Sequence, residues 1–292
     1  MDVTVAHNAR VWNYWLGGKD HFEVDRAAGD QVRAMHPSIV QVARADRAFL
    51  GRVVRFLAGE AGIRQFLDIG TGLPTAENTH KVAEAVAPAV RVVYVDNDPI
   101  VLAHARALLA PAPPAVTSYV NADVHDPDAI LEAAARTLDF SEPVAVMMLG
   151  ILNFVLDNAE AKTIVQRLLD AVVPGSYLAL SHPTVELGGE GNAEAMRFWN
   201  EHARPPIRAR GAEEIGQLLT GLDLVDPGLV SCALWRPDAP TAAIPHYGVA
   251  AIKPGRLPAC LPSATTPRVR TRGTKPSCAG ARASCRWPSP SP

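Results

Sequence analysis

Apolar residues in the first sixty positions recur at the three- and four-residue spacing of α-helices. One series begins near residue 8 and another ends near residue 59, and the glycine-containing sequence at 16–20 interrupts the pattern between them. This spacing predicts helices over about residues 8–59 with a break at 16–20, because side chains three or four positions apart share one helix face. The positions that carry the pattern are Val11, Tyr14, Trp15, Ala48, Phe49, Val53 and Phe56.

Short apolar runs replace the helical spacing from residue 65 onward. Alternation of such runs with Ala- and Leu-rich helical segments is typical of a parallel sheet with helices on both faces. Two more strands, around 229–235 and 247–252, follow a helix at 213–219 and are expected to form an antiparallel edge. We therefore predict an α/β fold with a mostly parallel, seven-stranded sheet. The first five runs occupy residues 65–70, 91–96, 118–123, 143–149 and 176–182.

The composition divides the chain into three segments. Residues 1–60 form the helical segment, 61–253 the α/β domain, and 254–292 a tail rich in Pro, Ser and Arg that contains no acidic residue. A tail without apolar periodicity cannot bury enough surface to fold, so we expect 254–292 to be disordered.

Overall charge and cysteine content narrow the classes of function. A net charge of -2 provides no field that would gather nucleic acid or an anionic membrane. The first residues lack the basic start and apolar stretch of a secretory signal, and no window approaches the roughly 18 to 20 apolar residues of a spanning helix. We therefore expect a cytoplasmic protein. The four cysteines lack the paired short spacings of zinc ligands, so neither a metal site nor a disulfide framework is predicted.

The strongest chemical signal is a buried strand that runs into the glycine turn Gly70-Thr71-Gly72. Glycines allow a tight turn and let a ligand approach the backbone closely. A dinucleotide fingerprint would have a third glycine where Thr75 stands, and the Asp68 carboxylate would repel a diphosphate. A cationic ligand without phosphates fits better, and S-adenosylmethionine is one. A nicotinamide-dependent reductase is the less favoured alternative.

Three carboxylates mark the ends of successive predicted strands. Asp68, Asp96 and Asp123 are expected along one edge of the sheet, where doubly wound folds bind ligands. Asp96 is suited to accept hydrogen bonds from ribose hydroxyls; the alternative, a helix cap, suits Asp98 better because Pro99 follows it. Asp123 is suited to the adenine amino group or to a turn. Asn97, next to Asp96, and Val124, next to Asp123, are further candidates for cofactor binding.

The fourth strand leads into Gly150 and Asn153, at the position that faces the reactive methyl group in this architecture. Asn153 either orients an acceptor or caps the following turn. Two histidines, His21 and His182, are the candidate general bases, against the more common structural role of a single histidine.

Two groups of side chains leave the nature of the acceptor open. Aromatic residues near the N-terminus either form a wall for a planar acceptor or fasten the N-terminal helices to the body. Three arginines before the helix at 213–219 either recognise an acidic acceptor or lie on the surface. The aromatic residues are Trp12, Tyr14, Trp15 and Phe22, and the arginines are Arg204, Arg208 and Arg210.

The chain resembles a family of bacterial S-adenosyl methyltransferases from about residue 9 to residue 254. The resemblance is carried, in order, by ARVWNYWLGGKDHFEVDR, ARADRAFLGRVVRFL, QFLDIGTGLPTAENTH, VVYVDNDPIVLAHARALL, DPDAIL, PVAVMMLGILNFV, GSYLALSH, and PGLV followed by WRP. It implies a Rossmann-like class I methyltransferase fold in which residues 1–60 form an N-terminal helical lid.

The same resemblance implies specific cofactor contacts. They come from the 70–72 turn, Asp96, Asp123 and a lid segment that folds over the cofactor; for Gly17 and Gly18 a helix-capping role is the alternative. The sequence departs from the family at Asn153, where members often have histidine, since an amide cannot accept a proton at neutral pH. Relatives also tend to stop before the tail. The lid segment consists of Tyr14, Gly17, Gly18, Lys19 and Asp20.

We therefore expect an S-adenosylmethionine-dependent methyltransferase that acts on a small-molecule acceptor. A non-catalytic protein that binds the same cofactor as a sensor is the main alternative. The acceptor and the oligomeric state stay open at this stage, because one architecture serves many acceptors.

Overall fold

Three helices form the N-terminal part of the protein. The computed structural model describes residues 4–73, 78–98, 100, 101, 103 and 116–255. A two-residue strand, β1 (Ala6–His7), precedes α1 (Asn8–Trp15), α2 (Glu23–Met35) and α3 (Ile39–Arg55), and a π-helical turn at Phe56–Glu60 follows α3.

The predicted helix break at 16–20 is the end of α1. Gly17 has a φ of +82°, and the Gly18 N–H donates to the Asn13 carbonyl at 2.8 Å. This left-handed glycine with a six-to-one hydrogen bond is the Schellman closure of a helix. Both glycines therefore have the capping role that the sequence left as an alternative.

The remaining described elements are mostly strands and helices in alternation, as predicted, with three strands following one another at the end. In chain order they are β2 (Gln65–Ile69), α4 (Thr79–Glu84), β3 (Arg91–Asp96), β4 (Val116–Asn121), α5 (Pro127–Ala134), β5 (Ala145–Leu149), a 3-10 turn (Leu152–Phe154), α6 (Asn158–Asp170), β6 (Tyr177–Pro183), α7 (Gly189–His202), β7 (Ala203–Arg204), α8 (Ala212–Leu218), β8 (Asp223–Leu224), β9 (Val230–Ser231), a second 3-10 turn (Cys232–Leu234) and β10 (His246–Ile252).

The central sheet has the order β4-β3-β2-β5-β6-β10-β8, and β9 pairs with β10 as an additional strand. The first five strands are parallel, and β10 is antiparallel to β6, β8 and β9. The predicted mostly parallel sheet is confirmed, but the described sheet has eight strands instead of seven. The strand predicted at 229–235 covers only Val230–Ser231, because the chain turns into a 3-10 helix at Cys232. A strand as short as β8 leaves no periodicity in the sequence.

Alternation along the strands creates a core on each face of the sheet. Leu67, Val93 and Val146 point to the face covered by α5, α6 and α8, whereas Phe66 and Val92 point to the face covered by α3 and α4. Successive side chains of a strand point to opposite faces, so each strand contributes to both cores. Helices on both faces are thus confirmed.

A third apolar cluster joins the N-terminal helices to α7. Trp15 of α1, Val32 of α2 and Trp199 of α7 are buried together. The parallel pairing of β1 with β7 ties the N-terminal segment to the end of α7. Two parts of the predicted segment 1–60 therefore pack against different elements: α3 packs on the sheet, whereas α1 and α2 pack with α7. The predicted disordered tail lies outside the described residues beyond residue 255.

Candidate active site

A cavity of 330 Å³ opens at the carboxyl edge of the parallel strands. One part of its wall comes from residues 68–73, 95–97, 122–125 and 149–151, which follow or end β2, β3, β4 and β5. The remaining lining residues come mainly from α1, α3, α7 and the start of β10. A cavity of this size lies in the range of small-molecule sites, about 300–1,000 Å³.

The glycine turn presents bare backbone to this cavity. Gly70 has a φ of +81°, and a Cβ atom there would lie 2.7 Å from the Ile151 side chain. Gly72 has a φ of +64° with nothing within 4 Å of its Cβ position. The Gly70 N–H donates to the Val95 carbonyl at 2.8 Å, which fixes the turn to β3. Any larger residue at Gly70 would collide with the β5 loop, and Gly72 leaves room for a ligand.

Asp68 is buried at the end of β2. The Thr79 hydroxyl donates to its Oδ2 at 2.6 Å. Burial raises the pKa of Asp68 to about 6, although the Thr79 hydrogen bond and the nearby Arg47 charge oppose this shift. A carboxylate held at this cost favours a cation beside it.

Asp96 connects the ends of β2 and β3. Its Oδ2 accepts from the Gly72 N–H and its Oδ1 from the Asp98 N–H, both at 2.9 Å. Burial raises the pKa of Asp96, and these two hydrogen bonds oppose the shift. The capping residue is Asp98, whose Oδ1 accepts a hydrogen bond from the Ile100 N–H at 2.8 Å.

Asp123 is held by two neighbours at the end of β4. Asn97 Nδ2 donates to it at 2.8 Å, and His125 contributes its backbone N–H at 2.9 Å and its Nδ1 at 2.6 Å. Partial burial alone would raise the pKa of Asp123, but these hydrogen bonds outweigh it and lower the pKa. Asp123 therefore stays an acceptor at neutral pH. Val124 also lines the cavity.

The turn after β5 brings Gly150 and Asn153 to the cavity wall. Gly150 has a φ of +61°, and a Cβ atom there would lie 4.0 Å from Asp46 Oδ2. Asn153 is buried, and its Oδ1 has no hydrogen-bond partner among the described residues. A buried, unpaired amide oxygen that lines a cavity is available to a ligand.

The lid candidates lie outside the cavity wall in the described part of the chain. The Tyr14 hydroxyl donates to Asp30 at 2.8 Å, Gly17 and Gly18 end α1, and Lys19 is exposed. The His21 ring packs 5.1 Å from Tyr14, and its Nε2 lies 3.1 Å from the Gly18 carbonyl. Their cofactor contacts and the base role of His21 stay predictions.

His182 is not positioned to act as a general base. Its Nε2 accepts from Arg210 Nη1 at 2.9 Å, and its Nδ1 lies 2.9 Å from the Pro183 carbonyl. Burial lowers its pKa to about 3, so the ring is neutral, and both nitrogens are engaged. These contacts contradict the predicted role of His182.

The three arginines considered for an acidic acceptor have other partners. Arg210 is buried and donates to backbone carbonyls, Arg208 pairs with Glu214 at 2.8 Å, and Arg204 donates to the Ala203 carbonyl at 2.8 Å. None of them is among the described lining residues. The alternative of an acidic acceptor therefore has no support from these side chains.

Several cavity residues were not predicted from the sequence. Asp46 interrupts an apolar face of α3 that includes Val42, Phe49 and Leu50, and this interruption is a sequence signal for a buried polar residue. His246 has no comparable local signal. The other lining residues of this kind are His7, His36, Asn192 and Met196.

The sequence matches the family model described as S-adenosyl methyltransferase over residues 1–254. The chain belongs to this S-adenosyl methyltransferase family. A DUF574 family protein from Streptomyces avermitilis MA-4680 is 45% identical, with a TM-score of 0.83 over 87% of this chain and 99% of that one. A putative methyltransferase from Thermobifida fusca YX is 42% identical, with a TM-score of 0.81 over 87% of this chain and 97% of that one. No curated protein matches the sequence.

The cofactor of the family, S-adenosylmethionine, fits the donors and acceptors of the cavity. Three carboxylates and a glycine turn line one side, and Arg47 is the only Lys or Arg side chain among the described lining residues. This set suits a cationic ligand with a ribose diol and no phosphate. Within the same part of the chain, no three His, Cys, Asp or Glu side chains are grouped as metal ligands. No helix there combines the length and apolar character needed to cross a membrane.

Proposed function

We propose that this protein transfers a methyl group from S-adenosylmethionine to a small molecule bound in the same cavity. The observation that carries the proposal is the continuity of the cavity: one wall has the glycine turn and the carboxylates, and the wall from α1 and α7 has Trp12, Trp15 and Trp199. A methyl transfer needs donor and acceptor in one enclosed space, so this continuity supports catalysis over cofactor storage.

The residues at the strand ends would hold the cofactor. The bare backbone of Gly70 and Gly72 is suited to the methionine part, Asp96 to the ribose hydroxyls and Asp123 to the adenine amino group. When bound, the cofactor supplies an electrophilic methyl group on a sulfonium. Transfer of that group is an in-line displacement, for which the protein must hold the acceptor atom about 3–3.5 Å from the methyl carbon and exclude water.

The composition of the cavity wall favours a small acceptor over nucleic acid. A phosphate backbone requires several Lys or Arg side chains, whereas Arg47 alone lines the described cavity. We place the reaction in the cytoplasm as part of this proposal. A sensor without turnover and a nicotinamide-dependent reductase are outcomes of the test below.

The test is turnover of methyl-labelled S-adenosylmethionine by the full chain against a panel of small hydroxy and amino compounds. We expect transfer to at least one compound. Trp12→Ala removes part of the aromatic cavity wall and should lower the rate of transfer about ten-fold or more. Phe22→Ala is the matched control, because Phe22 is exposed and outside the wall. Tight cofactor binding without transfer to any compound would indicate a sensor, and preference for NADH a reductase.

A further inference from the structure

A histidine and an aspartate from distant parts of the chain meet at the cavity. His246 begins β10, and its register opposite Pro183 of β6 places it at the carboxyl edge of the sheet. Asp46 comes from α3, and its Oδ1 lies 3.6 Å from His246 Nε2. Both residues are buried and line the cavity, and neither of these two atoms has a hydrogen-bond partner among the described residues.

The pair lies beside the loop that follows β5, where the proposed function places the methyl transfer. Asp46 Oδ2 lies 4.0 Å from the Cβ position of Gly150, at the end of β5, and Gly70 of the glycine turn contacts Ile151 of the same loop. The cofactor turn, the β5 loop and the pair are thus consecutive neighbours along the cavity wall.

Asp46 acts on the ring through its charge, because a separation of 3.6 Å is longer than a hydrogen bond. A carboxylate next to Nε2 favours the tautomer with the proton on Nε2, and this leaves the Nδ1 lone pair as the basic site. Burial lowers the pKa of His246 and Asp46 opposes that shift, so the free ring is neutral at pH 7. Two other titratable groups nearby are neutral, His182 from β6 and Cys232, whose thiol pKa is raised by burial, whereas the cationic Arg47 is adjacent to Asp46 on the cavity wall.

The surrounding side chains indicate which kind of acceptor the pair serves. The Trp12 ring lies 6.4 Å from the His246 ring and 5.7 Å from Trp15, and Trp199 lines the same cavity. Aromatic walls favour a planar molecule. Arg47 is the only Lys or Arg on the described wall, so a carboxylate or phosphate acceptor would have few partners.

We propose that His246 is the general base of the reaction, that Asp46 positions it, and that the acceptor is an uncharged aromatic compound with a hydroxyl group. The inference rests on the proposed function. The acceptor oxygen forms a bond with the methyl carbon while the bond from that carbon to the sulfonium sulfur breaks. The sulfur keeps the electron pair as a thioether, and the hydroxyl proton moves to His246 Nδ1. The resulting imidazolium is paired with the Asp46 carboxylate.

The experiment uses 4-nitrophenol as a probe, because its phenolate absorbs visible light. The full chain is saturated with S-adenosylhomocysteine, which binds without turnover, and the ionisation of the bound probe is measured against pH. We expect the ratio of ionised to neutral probe to be about ten-fold higher for the bound probe than for the free probe at the same pH, which is one pKa unit. His246→Gln should abolish this gain, and Asp46→Asn should reduce it. His202→Gln, an exposed histidine of α7, is the matched control and should keep it.

The possible outcomes test the general base, the acceptor and the cofactor separately. Probe binding without a gain in ionisation, or a gain that persists in His246→Gln, would overturn the base assignment. Failure of the probe to bind while S-adenosylhomocysteine binds would overturn the aromatic acceptor. Failure of S-adenosylhomocysteine itself to bind would instead contradict the proposed function. Thermal melting of each variant identifies any that does not fold, and Asp46→Asn then supplies the test without a change at His246.

Discussion

At the scale of single residues, the buried carboxyl of Asp68 links the fold to the cofactor. Its pKa rises from the ordinary 3.8 to about 6 in the folded protein. The folded state therefore holds a proton between pH 3.8 and 6 that the unfolded state has lost. This contribution to stability is complete below pH 3.8. The folded state loses about 3 kcal/mol of stability as the pH rises through 6. A bound cation at Asp68 would offset that cost.

Cofactor affinity should consequently increase with pH. The ammonium and sulfonium of S-adenosylmethionine favour ionised Asp68, so we expect the dissociation constant to fall about ten-fold between pH 5 and pH 7, as the ionised fraction rises. Calorimetric titration across this range measures the effect. Asp68→Asn should remove the pH dependence, and the exposed Asp170→Asn should keep it. An affinity that does not change with pH in the unmodified protein would contradict this role of Asp68.

At the scale of elements, the buried Arg210 and its neighbour Arg208 both donate hydrogen bonds to the segment that follows β5. Arg210, just before α8, donates to the carbonyls of Leu152 at 2.7 Å and Val155 at 2.6 Å, and to Asn158 Oδ1 at 2.8 Å. The segment contains Asn153 and follows Gly150, so these hydrogen bonds fix one wall of the cavity. The Leu152 carbonyl also accepts from the Val155 N–H at 3.2 Å, so loss of the guanidinium costs most at the Val155 carbonyl and Asn158.

Removal of this guanidinium should destabilise the whole protein. We expect Arg210→Met to lower the free energy of unfolding by about 3 kcal/mol or more, because several hydrogen bonds from a charged group are lost at once. Urea denaturation measures the change. Arg167→Met is the control, since Arg167 lies outside this segment and its exposed pair with Asp128 is worth about 1 kcal/mol or less. Equal losses in the two variants would show that Arg210 has no special role.

At the scale of the whole molecule, the sequence predicted the features that depend on neighbouring residues. The glycine turn and the carboxylates at the strand ends are local, and parallel pairing brings strand ends to one edge. The pair of Asp46 and His246 could not be predicted in this way, because the two residues are far apart in the chain and only the packing of α3 beside β10 brings them together. His182 illustrates the reverse case, since its bond to Arg210 is not visible in either local sequence.

The same long-range packing explains the differences in the lid and at the sheet edge. The N-terminal aromatic residues take different places because α1 packs against both α2 and α7: Trp12 and Trp15 line the cavity, whereas the Tyr14 hydroxyl is bonded to Asp30 of α2. The edge strands β8 and β9 are each two residues long and depend on pairing with β10. Pairing of this kind leaves no pattern in a short sequence.

The most direct test of the account is calorimetric titration of the full chain with S-adenosylmethionine, S-adenosylhomocysteine and NADH, with Asp96→Ala and Asp96→Asn as variants. We expect both sulfur ligands to bind, and both variants to weaken them about ten-fold or more, which is about 1.4 kcal/mol. The exposed Asp170→Ala should bind as the unmodified protein does. Preference for NADH, or undiminished binding of the sulfur ligands in the Asp96 variants, would contradict the assignment of the cofactor to the carboxylate edge of the sheet.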